Sequence, residues 1–366
     1  MTDDGAVPRR VAPRPERAAL AACVTLGLVA ACGTGQGADP TPAAEARPPL
    51  SGQFTPRRLP RPVPTAAEPA ASPVTTTTPA GRTIEIGNAP EGIVADATTR
   101  RVVVAVRGPD ELVLLDPTTL AVRGRTPLPG SLRHLQLAAA GGPVLVPDES
   151  STSLLRVALP SGRVLSRTPT GAMPHDANQA PNGTVLVADE AGATLTAIRD
   201  DRVVATFTDV TQPGGIAHVG DVFGVVDVGE NTITFDDAAT LQPLTELSAG
   251  DGPTHVVADK HGRLVVVDTR GGALLLYSAP PQAAQVARVA LPGQPYGVAY
   301  DARRDELWVT VTASNELVRL DLSGDQPRET ARYPTVQQPN TVAVDETTGR
   351  VFVTGTTPGL LQVVDP

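Results

Sequence analysis

From Thr83 onward, short apolar runs alternate with polar positions at period two, and the whole pattern recurs about every 41 residues. Residues 294–336 show one unit. Pro295-Tyr-Gly297 opens a strand through Tyr300, a turn spans Asp301 to Asp305, and Glu306 to Val311 alternates back. Ala313-Ser-Asn315 turns again, Glu316 to Asp321 is a third strand, and a ragged fourth runs through Tyr333. Strands of this kind between Gly, Asn and Asp turns predict antiparallel β-structure. The same frame fits Pro90-Glu-Gly92, Leu132-Arg-His134, Pro174-His-Asp176, Pro213-Gly-Gly215, Pro253-Thr-His255 and Pro339-Asn-Thr341, which makes seven units. Four strands in each unit predict an all-β, seven-bladed β-propeller over residues 83–366. The last unit stops at Pro366 after three strands, and Thr83-Ile-Glu-Ile86 is a spare strand ahead of the first. Pairing the two closes the ring and removes edges open to aggregation.

Ahead of the repeats the pattern changes. Arg9, Arg10, Arg14 and Arg17 outnumber Asp3, Asp4 and Glu16, and a run of 14 small or apolar residues follows at 18–31. A membrane-spanning helix needs about 20 such residues, so residues 1–31 read as a secretory signal peptide. The run ends Val29-Ala30-Ala31-Cys32-Gly33, which resembles the lipobox of bacterial lipoproteins. That resemblance implies cleavage before Cys32 and lipidation of its sulfur, with Cys23 discarded. The partner of the anchor is then a membrane, and the location is the bacterial cell envelope, on the outer face of the cytoplasmic membrane. Residues 33–82 hold 11 Pro, 9 Ala and 8 Thr, too little apolar bulk to offset ordering entropy. Residues 32–82 are therefore expected to be a lipidated, disordered tether, with a reach on the order of 150 Å if extended.

Composition narrows the function classes. At 41% hydrophobic and 19% charged the chain can bury a core. A net charge of −9 with Lys260 as the single lysine argues against a nucleic-acid partner. Aromatics at 3% argue against a base- or sugar-stacking platform, and two cysteines build no disulfide framework or Cys-rich zinc site.

The run Pro295-Tyr-Gly-Val-Ala-Tyr-Asp301, with Arg350-Val-Phe-Val-Thr-Gly355 and Glu316-Leu-Val-Arg-Leu-Asp321, resembles the repeats of YVTN/NHL-type propellers of the YncE-like group. The resemblance covers residues 83–366 and implies the fold; this fold hosts unrelated activities.

Chemistry is sought where strands enter the ring. Asp96, Asp259, Asp301 and Asp345 fall at first hairpin turns, where Asp caps its own backbone. The entry column reads Gly92, His134, Asp176, Gly215, His255, Gly297 and Thr341. His134, Asp176 and His255 make up the inventory of a site for a divalent metal, and are the catalytic candidates if the protein is an enzyme. His175 is offset by one, so strand alternation turns it away unless the register slips. Asp148, Asp189, Asp227 and Asp268 close the second strands of four consecutive units. Asp148 and Asp268 are placed to hydrogen-bond His134 and His255. Bracing of the blades, contacts to a polar ligand and a bound metal all remain open for these residues. Tyr296, Asn340 and Arg107 complete a polar rim of ligand-binding candidates, and His218 and His261 read as surface residues.

No Gly-x-Ser-x-Gly, His-Glu-x-x-His or Ser-x-x-Lys occurs. The leading expectation is a non-enzymatic envelope propeller that binds a protein, peptide or small solute on its entry face. The alternatives are a metal-assisted hydrolase or lyase, similar to propeller lactonases and streptogramin lyases, and a passive scaffold of an envelope complex.

Overall fold

A computed structural model describes residues 65–366; the expected signal, Cys32 and most of the expected tether lie outside the described residues. The described chain forms seven four-stranded antiparallel sheets arranged as a seven-bladed β-propeller. Each sheet is a meander of consecutive strands except the last. There the strand Arg82–Glu85 pairs with Leu360–Val364, in register Arg82 to Val363 and Ile84 to Leu361. The spare strand of the sequence thus completes the seventh blade, one residue earlier than the pattern suggested.

Seven apolar clusters hold the ring, one in each gap between neighbouring blades. Their members come from alternate positions of facing strands, as period-two patterning requires. Trp308 lies fully buried between the sixth and seventh blades. Gln362 staples the closure from within. It is fully buried, accepts from the Val336 amide at 2.9 Å, and donates to the Ala80 and Pro334 carbonyls at 2.8 and 3.0 Å.

The first strands carry a recurring irregularity. In six blades the pairing slips around the entry residue, as between Pro174 and Asp176 and between Pro253 and His255. One extra residue per bulge re-aims the side chains at the channel mouth. In the second blade the first strand shrinks to Gln136–Leu137, so Arg133 and His134 sit on unpaired backbone and escape alternation.

Residues 65–81, assigned to the tether by composition, lie against the ring. They form no strand, yet Ala67 is buried and polar side chains of the ring grip the backbone. Hydrogen bonds to the peptide groups, rather than apolar burial, order this segment, which is why composition gave no sign of it. Among the described residues no helix is long and apolar enough to cross a membrane.

Candidate functional site

The centre of the ring holds three histidines in contact. His134 meets His175 with ring centroids 4.3 Å apart and His255 at 4.6 Å, and Tyr296 stacks edge-on against His255 at 4.5 Å. His134, His175 and Tyr296 are buried. The bulge at Pro174/Asp176 is what delivers His175 here: it is the extra residue, so alternation does not turn it away.

Charge divides the cluster. On the entry side, Glu149 Oε1 faces His175 Nδ1 at 3.2 Å and Glu190 Oε2 faces it at 3.3 Å. Burial disfavours a charged His175, but the Glu149 bond and the Glu190 charge outweigh it and raise its pKa. Arg133 joins the same group, 3.2 Å from Glu149 and 3.6 Å from Glu190. His134 and His255 carry the opposite shift. Burial first, then the charge of His175, drives His134 well below the usual histidine range and His255 down to about 3. Both shifts favour the neutral imidazole.

One assignment of their tautomers accounts for the side-chain hydrogen bonds around them. A relay that satisfies every hydroxyl runs from His255 Nδ1–H to Thr254 Oγ1 at 3.1 Å, on to Thr269 Oγ1 at 2.7 Å, and to the Pro295 carbonyl at 2.7 Å. His255 Nε2 then accepts from His134 Nε2–H at 3.3 Å, which leaves the lone pair of His134 on Nδ1.

Beyond this floor opens a cavity of about 740 Å³. Its walls carry Gln136, Asn178 and His218 as well as His134, Asp176 and His255, and its mouth lies among the first hairpin turns, at Thr98, Lys260 and Glu346. His218 is accordingly no surface residue: it is half-buried, with Nδ1 2.6 Å from Asn178 Oδ1. His261 does stay at the surface, against Asp305 at 2.7 Å. The wide opening is thus on the face opposite strand entry, whereas residues 65–73 cross the entry face.

Other expected site residues do different work. Asp176 accepts from the Ala177 amide at 2.8 Å and the Ile216 amide at 2.9 Å, so it struts the third blade to the fourth. Burial raises its pKa to about 6. Asp148 and Asp268 bond loop amides, Ser151 at 2.9 Å and Gly252 at 2.9 Å, rather than the histidines. Asp227 binds the amides of Thr211, Gln212, Gly229 and Glu230, and Asp189 binds the hydroxyls of Thr194 and Thr196. These four carboxylates therefore brace loops within a blade. Among the described residues no three His, Cys, Asp or Glu side chains are arranged to hold a metal ion. The expected His134, Asp176 and His255 trio departs from such a site because the two imidazoles bond each other and the carboxylate is occupied by amides.

No family model matches the chain, and no curated protein matches it in sequence. Solved structures do. Hydrazine synthase of Kuenenia stuttgartiensis aligns at 15% identity over 81% of this chain and 99% of that one, with a TM-score of 0.67. Virginiamycin B lyase from Staphylococcus aureus aligns at 16% identity over 76% of this chain and 97% of that one, TM-score 0.63. A catalytically inactive variant of that lyase with quinupristin gives 16% identity, 77% and 97% coverage and a TM-score of 0.64. The likeness is one of fold.

Within that propeller fold the decisive charges escaped the sequence reading. Glu149 and Glu190 each follow a recognised second-strand aspartate, so the repeated Asp-Glu pair was their signal. Glu91 is a further centre: Asn340 Nδ2 donates to it at 2.9 Å and Arg107 pairs with it at 2.9 Å. Burial raises its pKa against the Asn340 bond and the Arg107 charge. Arg107 and Asn340 are thus joined to each other through Glu91, and Tyr296 belongs to the histidine stack rather than to an exposed rim.

Proposed function

We propose that the protein is a lipid-anchored envelope propeller that binds a small, polar, uncharged solute in its central channel without transforming it. The observation that carries this reading is the channel floor. A cavity of about 740 Å³ ends on two imidazoles whose neutral form is favoured by burial and by the charge of His175. Such a floor offers hydrogen-bond donors and acceptors, and Asp176 on the wall, whose pKa of about 6 would suit a general base, is engaged by the Ala177 and Ile216 amides. Membrane attachment rests on the lipobox-like Val29-Ala30-Ala31-Cys32 sequence.

The test screens a library of small neutral solutes against the purified protein by thermal shift. A solute at about 100 times its Kd adds about 2.7 kcal/mol of stability. His134→Ala and Asn178→Ala should abolish the shift; hits indifferent to both changes overturn the channel assignment. Loss of [³H]palmitate label in Cys32→Ala tests the anchor, and retention of label refutes it.

A lyase is the second reading, favoured by the fold similarity to virginiamycin B lyase. Consumption of quinupristin by the purified protein, abolished in His255→Ala, supports it. Intact quinupristin after prolonged incubation removes it.

A further inference from the structure

The segment on the entry face is held in a way that differs from the rest of the fold. Gln338 grips its backbone twice, donating from Nε2 to the Ala70 carbonyl at 2.8 Å and accepting the Ser72 amide at 3.0 Å. Thr312 accepts from the Ala70 amide at 2.9 Å, and its carbonyl takes the Ser72 side-chain hydroxyl at 2.6 Å. Asn315 donates to the Pro73 carbonyl at 2.8 Å, Gln337 to the Ser72 carbonyl at 3.2 Å, and Arg270 to the Thr65 carbonyl. Glu68 reaches over the ring centre to Arg133 at 3.1 Å.

Three features separate this segment from an ordinary piece of the ring. Most of its contacts are polar and directed at peptide groups, with Ala67 the one buried apolar residue between 65 and 73 and Ala66 packed on an apolar cluster of the ring. It pairs with no strand, whereas the ring closes through Arg82–Glu85 on its own. Val74, Thr76, Thr77 and Thr78 between the two are exposed, so residues 65–73 can leave without unzipping the closure. Paired amide side chains reading alternate backbone groups are the means by which a surface holds an extended peptide.

We propose that the entry face is a peptide-binding groove for an extended, alanine- and proline-rich segment carrying one carboxylate, and that residues 65–73 occupy it as a displaceable ligand in cis. Gln338 and Thr312 read the backbone, and Arg133 reads the carboxylate. Through Arg133 the carboxylate of Glu68 is linked to Glu149 and Glu190, the two partners of His175. The groove is independent of the channel reading, because strap and channel lie on opposite sides of the histidine cluster.

A specific protease site built into 75–78 of the full chain tests this. After cleavage, excess synthetic peptide spanning 65–74 should chase off the released N-terminal fragment, while Trp308 emission and the unfolding midpoint show an intact ring. The stripped ring should then bind the labelled peptide saturably, with affinity falling about tenfold or more for Gln338→Ala and for a peptide with Ala in place of Glu68. The uncut chain should not bind it. A ring that unfolds on losing the fragment, a fragment that no excess peptide displaces, an intact ring that ignores the peptide, or binding indifferent to Gln338→Ala would each overturn the proposal.

Discussion

Acid should destabilise this protein through His255, and the size of the effect follows from its surroundings. Burial, with the His175 charge, takes its pKa from 6.5 to about 3, so the folded form stays neutral where the unfolded form charges. At about 1.4 kcal/mol per unit the full difference approaches 5 kcal/mol. The sign is set by proton uptake: as pH falls through 6.5 the unfolded chain gains a proton the folded chain refuses, and stability drops. Between pH 7 and pH 5 the loss from this one residue is about 2 kcal/mol. Urea unfolding followed by Trp308 fluorescence across that range, for the native chain and for His255→Gln, isolates it. The stability difference between the two should shrink on acidification, because the variant lacks the titrating group. His175 must behave in the opposite sense. Its raised pKa stabilises the fold fully below the unfolded value, and that contribution is lost as pH rises through the folded one. A native-minus-variant difference for His255→Gln that is flat from pH 7 to pH 5 would show that the residue is not buried neutral, and the charge division would fail with it.

Asp227→Ala leaves the amides of Thr211, Gln212, Gly229 and Glu230 without their acceptor, and should cost about 3 kcal/mol by chemical denaturation. Gln362→Ala orphans the Val336 amide and the Ala80 and Pro334 carbonyls at the ring closure. It should cost about 2–4 kcal/mol, with hydrogen exchange rising first at residues 82–85 and 360–364. Zinc should not raise the unfolding midpoint, since His134 and His255 bond each other and Asp176 bonds two amides. A zinc-dependent rise lost in His134→Ala contradicts that account.

Much of the ring could be read from residues alone. The alternation within units such as 306–311 and the missing fourth strand at Pro366 both report on strands paired locally, and local pairing leaves a periodic trace. The centre of the ring was less legible. His175 reaches the cluster through a bulge, and a one-residue slip reverses every inference drawn from alternation. Arg133 and His134 face the same region because their backbone is unpaired, for which no pattern gives notice. The partners of Asp148 and Asp268 went wrong for a related reason. Adjacent strand ends suggested side-chain pairing, but loop amides with no other acceptor lie closer and hold the carboxylates. The strap at 65–73 left no trace at all, because a composition that fails to build a core can still be held by amide-to-amide bonds.

Three imidazoles packed in a row through His134 cannot all carry charge, and where a charge resides decides what each side of the ring can recognise. Glu149 and Glu190 stand on the entry side and favour a proton on His175, whose charge in turn disfavours one on His134 or His255. Arg133 adds a permanent charge on that same side and meets the one carboxylate of the strap. At the other mouth Lys260 is already paired with Asp305 at 3.3 Å, and Asp96 and Asp259 are tied to their own turns. Apart from Asp176, engaged by two amides, and Glu346 at the mouth, the channel presents dipoles where the groove presents charge. Replacing Glu149 and Glu190 together by Gln would remove the reason for protonating His175, and with it the repulsion that lowers its two neighbours. The pKa of His255 should then rise toward the histidine range, a shift that ring-proton NMR can follow directly. If it stays where it was, desolvation alone governs the cluster, and the two faces are not coupled through charge.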